Sequence, residues 1–208
     1  MPDKQQFLDT VGDLCRNCGM CELGWEKAKR DNKELDPHVP GWYDHMSPLP
    51  RVMIIGQNPG WNEVKQGQPF GGAAGREFDA TIMKHGERYG ITRNKFYITN
   101  AVKCYIADDG IPMARQLHRC RPLLTMEINT IHPKFVVALG SVAFNVLCPG
   151  SKFSDCVGKI VTSDEFDIKV FTTYHPSPLN LSDRSRRVQF DRDIKVLCGL
   201  LFRIDSPF

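Results

Sequence analysis

Residues 51–75 read RVMIIGQNPGWNEVKQGQPFGGAAG. Val52, Met53, Ile54 and Ile55 form an apolar run of the kind that makes a strand buried on both faces. The run breaks at Gly56 into a loop rich in glycine and proline, whose few polar side chains include Gln57, Asn58 and Glu63. The loop passes Pro69-Phe70-Gly71-Gly72, and a helix is expected from Ala73. A buried strand that ends in a glycine loop is where open α/β sheets place a ligand. Neither a GxxxxGK(S/T) nor a GxGxxG pattern is present, so the loop is read as holding a ring or group other than a nucleotide phosphate.

The rest of the chain repeats this alternation. Phe7, Leu8, Val11 and Leu14 recur at helical spacing over residues 4–14. A helix from about Ala73 to Tyr89 is closed by Gly90, and KFYIT (95–99) reads as a second strand. A helix from about Met113 to Ile131 stops at His132-Pro133, because the residue before proline is pushed out of the α region. FVVAL (135–139) is a third strand, after which Ser141 is a candidate cap for a short helix to Leu147. Residues 157–173 suggest a hairpin. Residues 186–202 suggest an amphipathic helix with Val188, Ile194, Leu197 and Leu201 facing inward. Strands alternating with long helices predict a three-layer α/β/α sandwich with a central, mainly parallel sheet. Residues 24–50, with Pro37, Pro40, Gly41, Pro48 and Pro50, read as a long loop or insertion in this single domain, anchored by Trp42 and Tyr43.

Composition narrows the function classes. A net charge of +3 is too small to imply nucleic-acid binding by itself. There is no apolar run of the roughly 20 residues a bilayer span needs and no signal-peptide core at the N-terminus, so a monomer in the cytoplasm (or nucleus) is expected, away from membranes. Eight cysteines stand out, since a reducing compartment disfavours structural disulfides. Cys148, Cys156 and Cys198 are scattered and read as small buried side chains. Cys15, Cys18 and Cys21 form the cluster CRNCGMC, with Cys104 and Cys120 further on. A CxxC pair plus two distant cysteines supplies four thiolates, a set that zinc and an iron–sulfur cluster both accept; a group of reactive or buried thiols is the alternative.

Three further residues stand at or near loops that can carry chemistry. His175 follows an apolar strand and precedes two prolines, where an imidazole can donate to an anion forming in a transition state. Asn100 ends the second strand, where an amide can read the donor–acceptor edge of a ring or cap a turn. Phe70, between a proline and two glycines, is either core or a face for a planar ligand to stack on.

Taken together, several separated segments resemble the uracil-DNA glycosylase superfamily, and most closely its iron–sulfur family-4 branch. Cys18-Gly19-Met20-Cys21-Glu22-Leu23 is similar to that branch's CxxCxL opening. Gly56–Gly60, Gly67–Gly72 and Ala74-Gly75 are similar to its first motif and extension, and Tyr97–Cys104 to the segment with a base-reading asparagine and a third cysteine. Cys120, Leu139-Gly140 and His175-Pro176 complete the resemblance. It implies a [4Fe–4S] cluster on Cys18, Cys21, Cys104 and Cys120, with Cys15 a competing thiol at the same spacing. It implies that Phe70 stacks on a flipped uracil, that Asn100 pairs with its polar edge, that His175 supports the departing anion at O2, and that Glu63 crowds C5 to exclude thymine.

The resemblance departs at Gln57-Asn58, where family-4 enzymes usually carry Glu and Gly. Here Gly56-Gln57-Asn58-Pro59-Gly60 is more similar to the mismatch-specific and single-strand-selective enzymes, whose asparagine holds the attacking water. His175-Pro176-Ser177-Pro178-Leu179 resembles the loops of the classical and single-strand-selective enzymes, which press on the DNA backbone and offer an apolar wedge. An amide orients water but cannot accept its proton, and losing a general base commonly costs on the order of 10²–10⁴ in rate. A slower enzyme relying on His175 is expected. Basic residues on either side (Arg115, Arg119 and Arg121; Arg184, Arg186 and Arg187) are candidate phosphate contacts. The expected activity is hydrolysis of the uracil N-glycosidic bond in DNA, leaving an abasic site. The alternatives are action on a different or modified base, and binding of DNA or a base without cleavage.

Overall fold

The computed structural model describes residues 3–23, 35–107 and 110–205. Five strands form one sheet in the order β2-β1-β3-β5-β4: β1 (Val52–Gly56), β2 (Phe96–Asn100), β3 (Phe135–Leu139), β4 (Ile160–Ser163) and β5 (Ile168–Thr173). The first three and β5 run parallel, and β4 pairs antiparallel with β5 as the expected hairpin. Every residue of β1, β2 and β3 is buried, which is why these strands read as continuous apolar runs rather than alternating ones.

Pleating sends alternate residues into two separate cores. Val52, Ile54, Ile98 and Val137 pack with Phe78 and Ile82 of α3 (Ala73–Gly86) and with Phe190, Ile194 and Leu197 of α8 (Arg184–Asp205). Met53, Ile55, Tyr97 and Val136 pack with Leu8 of α1 (Lys4–Arg16), Leu124 and Ile128 of α4 (Ala114–Ile131) and Phe144 of α5 (Ser141–Leu147). Helices on both faces of a mainly parallel sheet make the three-layer sandwich that the alternation predicts. No described helix is long and apolar enough to cross a membrane.

Four local expectations need correction. Within the loop after β1 a two-turn helix forms, α2 (Trp61–Gln66). Ser141 is the first residue of α5 and Gly140 its N-cap, at φ 87°. Val188 of α8 is about half exposed, and Phe190 and Cys198 face inward beside Ile194, Leu197 and Leu201. Two short helices, α6 (Phe153–Cys156) and α7 (Pro178–Leu181), lie where none was predicted.

Of the expected loop 24–50, residues 24–34 fall outside the described residues. Residues 35–50 carry no helix or named strand, yet part of the stretch is zipped to the outer edge of β2. Trp42 N–H donates to the Ile98 carbonyl and Ile98 N–H to the Trp42 carbonyl, both at 2.8 Å, and Val39 N–H donates to the Lys103 carbonyl at 2.7 Å. An edge strand that would otherwise offer unpaired donors and acceptors is thereby covered.

Candidate active site

The carboxyl ends of β1, β2 and β5 converge at one end of the sheet, beside the point where the connections from β1 and β3 depart in opposite directions. Gly56 and Asn100 are register partners there. The pairing continues into the loops, with Ala101 N–H donating to the Gly56 carbonyl and Val102 N–H to the Gln57 carbonyl, both at 2.9 Å. A Cβ on Gly56 would lie 2.4 Å from Asn100 Oδ1 and 2.7 Å from the Phe70 ring. The amide and the ring therefore face each other across a floor that only glycine leaves open.

Phe70 is held in an unusual conformation. Its φ of 56° lies in the left-handed region, which costs a side-chain-bearing residue free energy that its surroundings must supply. Arg93 supplies contacts for it: its guanidinium donates to the Pro69 carbonyl at 2.6 Å and to the Phe70 carbonyl at 3.3 Å, and pairs with Asp79 at 3.2 Å. The same guanidinium lies 5.1 Å from the Trp42 ring. Nothing in the sequence around Arg93 announces this role, because its partners are 14 to 24 residues away.

His175 closes the far side, its ring centroid 5.8 Å from that of Phe70. Burial pushes its pKa down to about 4, so the imidazole is neutral around pH 7 and acts as a hydrogen-bonding group rather than a cation. Its Cβ lies 3.1 Å from where a Cβ on Gly140 would stand, so the β3 end leaves room for the His175 loop.

Asn58 donates through Nδ2 to the Pro59 carbonyl at 3.2 Å, while its Oδ1 is buried with no hydrogen-bond partner among the described residues. A buried acceptor left open in this way suits a ligand or water. Gln57 makes a long contact of 3.5 Å to the Gly110 carbonyl. Glu63 is braced in the loop, its Oε1 accepting the Gly72 N–H at 2.7 Å, so that α2 is tied to the start of α3. Ser177 caps α7, accepting the Asn180 N–H at 3.3 Å; Pro178 is the first residue of that helix. Leu179 stands out from it, 86% exposed.

Arg184, at the start of α8, is exposed. Of the other flanking arginines, Arg115 pairs with Glu22 at 2.6 Å, Arg121 with Glu165, Arg186 with Asp183 at 3.8 Å and Arg187 with Glu77 at 3.3 Å. The basic clusters are thus partly neutralised, Arg186 by a neighbour three residues back and the others by residues that the sequence places far away.

The cysteines gather behind Asn100, away from the cleft. Cys15, Cys104 and Cys120 are buried in an apolar patch with Val11, Leu23, Val102, Ile106 and Leu123, and Cys21 packs against it. The thiols are close enough to oppose each other's ionisation: burial raises Cys104 most, with further contributions from Cys120, Cys15, Cys21 and Cys18. Burial also pushes Cys120 up to about 11 against the pull of Lys103, whose main-chain N–H donates to the Cys120 sulfur at 3.2 Å. His38 joins the two halves of the set, its Nε2 3.0 Å from the Cys18 carbonyl and its backbone bridged to Cys104. Among the described residues no group of three or more His, Cys, Asp or Glu side chains is arranged to hold a single metal ion. Soft sulfur donors in an apolar shell, with an N–H aimed at one sulfur, nevertheless fit the chemistry of an iron–sulfur cluster.

Comparison with known proteins agrees with this architecture. The family model of the uracil DNA glycosylase superfamily matches residues 43–197. A type-4 uracil-DNA glycosylase of Sulfurisphaera tokodaii is 34% identical over 90% of this chain and 82% of its own length. One from Thermotoga maritima is also 34% identical, over 90% of this chain and 92% of its own length. A type-5 uracil-DNA glycosylase of Pyrobaculum aerophilum is 30% identical over 69% of this chain and 67% of its own. The matched span runs from Tyr43 to Leu197 and takes in the β1 loop, the end of β2 and the His175 turn, and the chain belongs to the uracil-DNA glycosylase superfamily.

Proposed function

We propose that the protein removes uracil from DNA by hydrolysing its N-glycosidic bond, leaving an abasic site. The observation that carries this reading is the slot over Gly56, walled by the Asn100 amide and the Phe70 ring and closed by a neutral His175. A planar base turned out of the duplex stacks on Phe70 and presents its polar edge to Asn100. Such stacking returns about 1–3 kcal/mol against a flipping cost of a few.

As the N1–C1′ bond breaks, its electron pair passes into the uracil ring, and the charge collects at N1 and O2. A neutral imidazole donating to O2 stabilises that anion without offering it a full proton. Asn58 Oδ1 accepts a hydrogen of the water that attacks C1′ from the face opposite the departing base. Asn58 orients this water without deprotonating it, so proton loss follows C–O bond formation. Glu63, Gln57, Ser177, Pro178, Leu179 and Arg184 form the surround: Glu63 at the C5 side, Gln57 beside the base, and the others against the DNA backbone and the vacated stack.

Cys18, Cys21, Cys104 and Cys120 would hold a [4Fe–4S] cluster, and Cys15 lies beside them as a fifth thiol. Held by these thiolates, the cluster would supply a cross-link between the turn after α1, the loop after β2 and α4. Replacing Asn58 or His175 by Ala is expected to lower single-turnover excision from a uracil-containing oligonucleotide by on the order of 10²-fold or more, with DNA binding kept. Unchanged rates in both variants would sink the assignment. Excision measured in parallel on uracil, thymine, hypoxanthine and 5-substituted uracils tests the base assignment.

A further inference from the structure

Lys103 and Glu127 form an ion pair at 2.6 Å with side chains only 1% and 2% exposed. The three donors of the ammonium meet three acceptors: Glu127 Oε2 at 2.6 Å, Thr99 Oγ1 at 2.5 Å and the Asn100 carbonyl at 2.8 Å. The other carboxylate oxygen accepts from Tyr97 at 3.0 Å and from Thr99 at 3.2 Å. The network is closed, with every donor matched. A sealed ion pair of this kind is seldom worth more in stability than apolar residues of the same size, so its retention calls for another reason.

Its placement supplies one. The ammonium grips the carbonyl of Asn100, three residues back, and so fixes the turn from which the Asn100 amide reaches the Gly56 slot. The main-chain N–H of the same lysine donates to Cys120. One residue thus touches both the base pocket and the thiol set behind it.

We propose that Lys103, anchored by Glu127, is a positioning residue for Asn100, and that it ties the orientation of the amide to the Cys120 side of the molecule. The inference rests on the reading of Asn100 as the group that pairs with the base. The effect is on geometry: the amide stays present when the lysine is removed, but it is no longer held at the angle that meets both polar atoms of the ring edge.

The test replaces the network by apolar groups of similar volume, Lys103→Met with Glu127→Leu and Tyr97→Phe, which strands no charge and leaves the Thr99 hydroxyl as the one side-chain polar group of the network. Melting temperature and iron content establish that the variant is folded and loaded. Single-turnover excision and inhibition by free uracil are then measured, with and without Asn100→Ala. The expected result is a folded protein whose excision and uracil inhibition both weaken about 10-fold or more, the size of one oriented bidentate amide contact. Asn100→Ala should add little on that background, although it acts strongly in the native chain.

A folded triple variant that excises and binds uracil like the native protein overturns the inference, as does full additivity with Asn100→Ala. If the triple variant does not fold, Thr99→Val serves in its place, removing one of the three ammonium acceptors at constant shape. It is expected to move uracil inhibition in the same direction, and no change there overturns the inference as well. Should Asn100→Ala alone leave excision and uracil inhibition intact, the base-reading role itself is wrong, an outcome distinct from the failure of Lys103.

Discussion

His175 enters the cleft already desolvated, and this has consequences for both catalysis and stability. With its folded pKa near 4 and an ordinary value of 6.5, it stays neutral across the range in which a free imidazole would charge. The excision profile should therefore show no His175-dependent limb near pH 6.5; a loss of rate centred there, absent in His175→Gln, would contradict the burial argument. The unfolded chain takes up the proton first as pH falls, so the stability contribution is complete above about 6.5 and disappears as pH drops through about 4. Melting temperature should decline over that window, and His175→Gln should flatten the decline. Arg93 yields a second expectation. Removing its hydrogen bonds to two carbonyls in Arg93→Met should cost about 1–3 kcal/mol and release Phe70 from its left-handed φ. Calorimetry would register the loss of stability, and weaker inhibition by free uracil would register the loose ring; Arg93→Lys should recover only part of either. Asn100 and His175 were legible as candidates because each follows an apolar strand. Arg93 was not, because three of its contacts are set by tertiary folding around a residue with no local pattern. The carboxylate of Glu63 was foreseen as a pocket group, but its tie to Gly72, nine residues on, could only come from the folded loop.

The elements that read most clearly are those whose burial is two-sided. β1, β2 and β3 appear as unbroken apolar runs because helices cover both faces, and the proposed site lies at their ends. α2 was hidden by the glycines and prolines around it, and the pairing of residues 37–42 along β2 was hidden because it rests on main-chain hydrogen bonds that no side-chain pattern encodes. The inward face of α8 was misjudged by one position at Val188, since a charged helix with Arg186, Arg187 and Asp191 gives a weak stripe. The cysteine segments belong to this scale too, because the turn after α1, the loop after β2 and α4 each carry part of the set. Protein purified without oxygen should be brown and hold about four irons per chain, the tetrathiolate expectation. One zinc and no iron would refute the cluster. Cys120→Ser should lower both iron content and melting temperature, because it removes a sulfur that Lys103 N–H also engages.

Across the whole molecule, the end proposed to meet DNA carries an exposed apolar side chain, and the chain has a modest net charge of +3. Leu179, 86% exposed on α7, is the side chain that the proposed reading puts in the gap a flipped base leaves. Leu179→Ala should slow excision from double-stranded DNA about 10-fold while leaving single-stranded substrate nearly unaffected, because only the duplex has a stack to refill. Equal effects on the two substrates would count against a wedge. With Arg115, Arg121, Arg186 and Arg187 in ion pairs, these four candidate phosphate contacts are partly neutralised, and binding should show a shallow dependence on salt. The three layers and the parallel sheet were readable from the alternation of elements, whereas the pairings of Arg115, Arg121 and Arg187 were not, since they join residues brought together only by the complete fold. One feature of the sheet reaches beyond any single side chain. Gly56 and Asn100 are facing rungs of adjacent strands, so the floor of the slot and its Asn100 wall inherit their spacing from a parallel ladder, about 4.8 Å. The sheet thus acts as a gauge block. Heating or sequence drift can loosen the loops and the Phe70 wall they carry, but the Gly56–Asn100 spacing cannot widen without breaking backbone hydrogen bonds in the core, so a change of preferred base has to be written in the loops.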